Sequence, residues 1–167
     1  MKQLFTLAMA AVISTASLAQ TNDVVDIAIG SADHTTLVAA VNAADLVATL
    51  KGEGPFTVFA PTNAAFDKLP EGTVANLLKP ENKAQLAKIL TYHVVSGNIE
   101  ASAVLAAIKS GNGTAVLTTV SGDKLTASLD NGKVKLTDAK GNASYVTATD
   151  LKGSNGVVHV IDTVVLP

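Results

Sequence analysis

Cysteine and arginine are both absent from the sequence, and each absence removes whole classes of function. Without cysteine there is no thiolate nucleophile, no thiolate-ligated zinc or iron–sulfur cluster, and no disulfide framework. A lipid-bearing N-terminal cysteine is ruled out as well. Without arginine, the planar bidentate grip on phosphate, carboxylate or guanine is missing. The 12 cations are all lysines, scattered among 14 acidic residues, and the net charge at pH 7 is −2. No basic cluster exists to hold a nucleic acid, so none is expected as a partner.

Catalytic signatures are equally scarce. No G-x-S-x-G elbow, Walker loop or G-x-G-x-x-G fingerprint occurs, and Gly111-Asn112-Gly113 stands before a strand pattern, where it reads as a turn. Three histidines, His34, His93 and His159, lie far apart with no ligand spacing such as H-x-x-x-H. Asp130, Asn131 and Asp138 do not match a calcium loop, which needs ligands at alternate positions and a closing glutamate. Neither an enzyme nor a cofactor site is expected. His93 and His159 sit in apolar, β-prone text and read as core histidines hydrogen-bonded to backbone or carboxylate. His34, in a polar stretch, reads as a surface or helix-start residue.

Long hydrophobic runs are also missing, apart from one. Leu4 to Ile13 is apolar, follows Lys2 and precedes Ser17-Leu18-Ala19, the pattern of a cleaved signal peptide over residues 1–19. The run is short for a bilayer span and nothing later replaces it, so no transmembrane anchor is expected. Cleavage after Ala19 leaves residues 20–167 as one domain, secreted or periplasmic, large enough to bury a core without staples.

What remains divides into a helical first half and a strand-rich last third. Helical pieces are expected from Val24 to Ile29, from Leu37 to Leu50 with Thr35 or Thr36 as cap, at Asn63–Leu69 capped by Thr62 or Asn63, and at Thr73–Leu78, Asn82–Leu90 and Ser102–Ile108. Short strands are expected at Phe56–Ala60 and Tyr92–Val95. From Thr114 the apolar period becomes two, and Asp130-Asn131-Gly132 marks a tight hairpin because Asn-Gly tolerates the positive φ of a type I′ turn. Val157 to Leu166 is almost wholly apolar, as in a strand buried on both faces. Helices early and antiparallel strands late predict an α+β fold.

Three ordered segments resemble the fasciclin family: Thr57-Val58-Phe59-Ala60-Pro61-Thr62-Asn63-Ala64-Ala65-Phe66, Leu90-Thr91-Tyr92-His93-Val94-Val95, and Asn155-Gly156-Val157-Val158-His159-Val160-Ile161-Asp162. The resemblance spans essentially all of residues 20–167. It implies an antiparallel β-sandwich or wedge with a cluster of short helices from the N-terminal half. In these boxes Thr57, Phe59, Pro61, Thr62, Asn63, Phe66, Gly156, His159 and Asp162 are expected to serve structure. By the same resemblance the function is adhesion, a non-catalytic module binding a protein or cell-surface component. Partner contact would fall on Tyr92, His93, Asp150 and Leu151. Some secreted members carry carotenoids, which makes a small apolar ligand the alternative.

Overall fold

The computed structural model describes residues 22–52 and 54–167; the signal-peptide expectation lies outside the described residues. In chain order the elements are α1 (Val24–Ile29), a 3₁₀ turn (Ala32–His34), α2 (Thr35–Ala43), α3 (Val47–Leu50), β1 (Phe56–Pro61), α4 (Asn63–Asp67) and α5 (Thr73–Leu77). After a second 3₁₀ turn (Pro80–Asn82) come α6 (Lys83–Tyr92), β2 (Val94–Ser96) and α7 (Ala101–Ser110). The remaining strands are β3 (Thr114–Thr118), β4 (Lys124–Asp130), β5 (Lys133–Thr137), β6 (Ala143–Gly153) and β7 (Gly156–Ile161).

The strands form one sheet in the order β2-β1-β7-β6-β5-β4-β3. Its two ends nearly meet: Val95 bridges Thr119, and the Val120 N–H donates to the Val94 carbonyl at 2.7 Å. The α+β class and the wedge-like curl agree with the sequence. One ladder departs from the antiparallel expectation, since β1 and β7 run parallel from Phe56 opposite Gly156 to Pro61 opposite Ile161. Parallel strands are normally covered on both faces, which explains why these two segments read as continuous apolar runs rather than alternating ones. At the expected hairpin, Asn131 and Gly132 have φ of 50° and 78°, as a type I′ turn requires.

Side-chain alternation along β1 and β7 separates two hydrophobic clusters. Val58, Ala60 and Val158 face the helices, joining Val25, Leu37, Val41, Phe66, Leu86 and Leu90. Phe59 and Ile161 face the other way, into Tyr92, Val104, Ile108, Leu117, Leu125 and Leu136. The central pair therefore belongs to both cores at once.

Several local expectations are corrected. Helix α6 continues through Tyr92 and the strand begins only at Val94; the β propensity of Tyr-His-Val-Val is overridden because Tyr92 and His93 are anchored by tertiary hydrogen bonds. Neither Thr35 nor Thr36 caps α2. Asn63 does so from a distance: its Oδ1 accepts from the Thr36 N–H at 3.0 Å and from the Thr35 hydroxyl at 3.2 Å. Thr62 alone caps α4, accepting from the Ala65 N–H at 3.2 Å. The last strand stops at Ile161, and residues 163–167 run on as an irregular strap whose Val164 and Val165 are buried.

Candidate functional site

The Tyr-His pair lies at the end of α6, where the helix meets the second core. Tyr92 is fully buried, and its hydroxyl donates to the Lys124 carbonyl at 2.9 Å and accepts from the Ala139 N–H at 3.1 Å. Burial raises the phenol above its ordinary pKa. His93 is also buried; its Nδ1 lies 2.8 Å from the Ile89 carbonyl, and its Nε2 lies 3.2 Å from the Val165 N–H. A carbonyl can only accept and an amide can only donate, so one tautomer is allowed, protonated at Nδ1. Burial drives the imidazole pKa down to about 4, against weaker opposing effects of the Ile89 carbonyl and Asp138.

His159 stacks on Phe59 with ring centroids 5.6 Å apart. Its Nε2–H donates to the Ile99 carbonyl at 2.8 Å, and its Nδ1 accepts from the Asp150 N–H at 3.3 Å. Asp150 sits at an irregularity of β6 with φ of 58°, and its Oδ1 accepts from the Ala101 N–H at 2.9 Å. That bond satisfies a free donor at the start of α7, whose N-cap residue Glu100 offers no side-chain cap. The buried His159 thus holds the backbone of an exposed irregularity within β6, and next to it Leu151 is 39% exposed.

The four expected contact residues divide accordingly. Asp150 and Leu151 reach the surface, whereas Tyr92 and His93 are enclosed and their side chains offer nothing for a partner to touch. His34 stands at the start of α2, one of the two places its sequence offered, but it is buried rather than on the surface, with Nδ1 2.8 Å from the Ser31 hydroxyl, and burial lowers its pKa.

The remaining box residues join elements. Thr57 Oγ1 donates to the Gly97 carbonyl at 2.7 Å and accepts from the Ile99 N–H at 2.8 Å, fixing the chain after β2. Pro61 ends β1 opposite Ile161, and Phe66 fills the helical core. Asp162 accepts from the Tyr145 N–H at 2.9 Å and the Thr163 hydroxyl at 3.0 Å, prolonging the β6–β7 contact past the last strand residue. Because Thr57 is fully buried, valine there leaves Gly97 and Ile99 unpaired at nearly constant shape. Thr57→Val is expected to cost about 2 kcal/mol in urea unfolding.

Two anchors escaped the sequence reading. Asn155 Oδ1 accepts from the Val24 N–H at 3.0 Å, while its Nδ2 donates to the Leu50 and Gly52 carbonyls at 2.6 and 2.9 Å. One side chain therefore ties the β6–β7 turn to the start of α1 and the end of α3. Asp138 gathers the loop after β5 in a comparable way. An asparagine in a turn and an aspartate in a loop carry no local signal of such distant partners.

Among the described residues, no three His, Asp or Glu side chains group closely enough to hold a metal ion, and no helix is long and apolar enough to cross a membrane. An apolar cavity of about 50 Å³ lies under α1 and α2, lined by Val25, Leu37, Val41, Leu50, Val58 and Leu90 among others.

Residues 32–167 match the family described as Fasciclin domain. Protein sll1483 of Synechocystis sp. is 48% identical over all of this chain and 86% of its own length. The transforming growth factor-beta-induced protein ig-h3 of Sus scrofa is 42% identical over 86% of this chain, which corresponds to 19% of that longer protein. Among solved structures, the FAS1 domain pair of the insect cell adhesion molecule Fasciclin I superposes with a TM-score of 0.78 at 15% identity, covering 89% of this chain and 52% of that one. The order of the three boxes, the sheet they build and these matches agree, and the chain belongs to the fasciclin domain family.

Proposed function

We propose that this protein is an exported, non-catalytic binding module that mediates adhesion through a protein or cell-surface component. Its membership of the fasciclin family carries the reading, because the insect cell adhesion molecule Fasciclin I shares this fold. His93 and His159 are in keeping with it, since each commits both ring nitrogens to backbone groups. The contact surface in this reading is the irregular stretch of β6 carrying Asp150 and Leu151, which His159 stiffens from beneath. Tyr92 and His93 lie outside it.

Leu151 provides the clean test, because its side chain is exposed while the Asp150 cap and the His159 bond stay intact. Leu151→Ser is expected to leave the thermal midpoint within about 1 °C of wild type, as surface substitutions do, while reducing surface attachment of cells that depend on this protein. Attachment equal to wild type in both this variant and a deletion strain would sink the adhesion reading.

The cavity beneath α1 favours a second reading, carriage of a small apolar ligand. About 50 Å³ accommodates only a few carbon atoms, so a longer ligand requires α1 to swing away. Protein purified from its native source should then bring an apolar molecule visible by native mass spectrometry. Uniformly ligand-free spectra dismiss this reading and leave the adhesion one untouched.

A further inference from the structure

We infer that His93 is an acid-sensitive clasp that releases the strap of residues 163–167 from both cores as the pH falls. The strap is held by hydrogen bonds from three buried side chains. The Ser144 hydroxyl donates to the Thr163 carbonyl at 2.8 Å, His93 Nε2 accepts from the Val165 N–H at 3.2 Å, and Asp138 Oδ2 accepts from the Leu166 N–H at 3.0 Å. Between them Val164 enters the helical cluster and Val165 the strand cluster.

The His93 anchor can hold the strap only while its Nε2 is unprotonated. His93 already uses Nδ1–H on Ile89, so a second proton must go to Nε2, where it destroys the acceptor and sets N–H against N–H. Asp138 accepts four hydrogen bonds, from the Lys140 and Asn142 amides on Oδ1 and from Asn142 Nδ2 and the Leu166 amide on Oδ2. Protonation of His93 therefore loosens the Val165 amide, beside the Leu166 amide that Asp138 holds. The Ser144 hydroxyl keeps the strap hinged at Thr163, so it opens from Val164 onward.

The surroundings fix the direction of the response. The charge acting on the imidazole is that of Asp138, which favours protonation, but burial outweighs it. Tyr92, the neighbouring phenol, has a raised pKa and stays neutral throughout. With the strap open and His93 in water, the imidazole returns toward its ordinary value of about 6.5. The open form thus takes up a proton as pH falls below that value, while the closed form resists until about pH 4. Acid favours opening across that window.

The test is amide hydrogen exchange by NMR on the wild-type chain between pH 7 and pH 4, expressed as protection factors to remove the intrinsic pH dependence. Protection at Val165 and Leu166 should fall by about a hundredfold between those pH values and at pH 4 change little with low urea, whereas Val158 and Val160 in the β1–β7 ladder, which exchange through global unfolding, should lose protection steeply as urea is added. The His93 ring resonance should shift with the same midpoint as the strap amides. In His93→Gln, which keeps an acceptor that does not titrate, most of the fall should vanish. Strap amides as sensitive to urea as the ladder amides at pH 4, or strap protection indifferent to pH, overturns the inference from wild-type protein alone.

Discussion

Gly156→Ala is expected to lower the thermal midpoint by roughly 10 °C, corresponding to about 3 kcal/mol for a domain of this size. A Cβ at this position would stand 2.8 and 2.9 Å from the carbonyl carbon and amide nitrogen of Phe56, and closer still to its oxygen. Those are backbone atoms, so no side chain can rotate aside. Phe56 cannot retreat either: its N–H donates to the Asn155 carbonyl at 3.0 Å, and on its other side it pairs with Ser96 of β2. Relief would require parting β1 from β7, the seam shared by both cores. Gly132→Ala is the control, because nothing lies within 4 Å of its added Cβ and only the positive φ is penalised, at about 1 kcal/mol. Equal losses in the two variants, followed by differential scanning calorimetry, would falsify the steric account.

Acidification from pH 7 to pH 4 is expected to remove about 3 kcal/mol of folding stability through His93 alone. Its pKa in the folded protein is about 4, below the 6.5 of the unfolded chain, so between those values the unfolded state binds the extra proton. The contribution is therefore fully present above pH 6.5 and lost as the pH falls toward 4. His34, also depressed by burial, acts in the same direction. The lowered carboxyl of Asp26, paired with Lys51, enters only in stronger acid, below its ordinary value of 3.8. Urea titrations at both pH values, on wild type and His93→Gln, measure the effect. The variant should show a distinctly shallower loss with a residue from His34; parallel losses in the two proteins would refute the assignment.

The sequence carried the local half of this architecture and little of the long-range half. Asn131-Gly132 announced its hairpin because the turn's dihedrals select those residue types. The two central strands announced their burial by unbroken apolar text, yet nothing in that text distinguishes a parallel neighbour from an antiparallel one. His93 and His159 were legible as core residues from their setting, whereas His34 was legible as a helix start but not as buried, because its burial comes from elements distant in sequence. The same reason hides the capping of α2 by Asn63, the triple bond of Asn155 and the loop contacts of Asp138. As for the site, Asp150 and Leu151 were singled out by family resemblance, and the physical link between Asp150 and His159 became visible only in three dimensions.

The parallel pairing of β1 with β7 also governs the order in which the chain can acquire its structure. Residues 56–61 lie about a hundred positions before their partners at 156–161, a loop whose closure is entropically costly and slow compared with local helix formation. Until β7 arrives, β1 has only the three-residue pairing with β2, and neither core has its dividing wall. A growing or threading polypeptide is therefore held short of its cooperative transition until residue 161 is available.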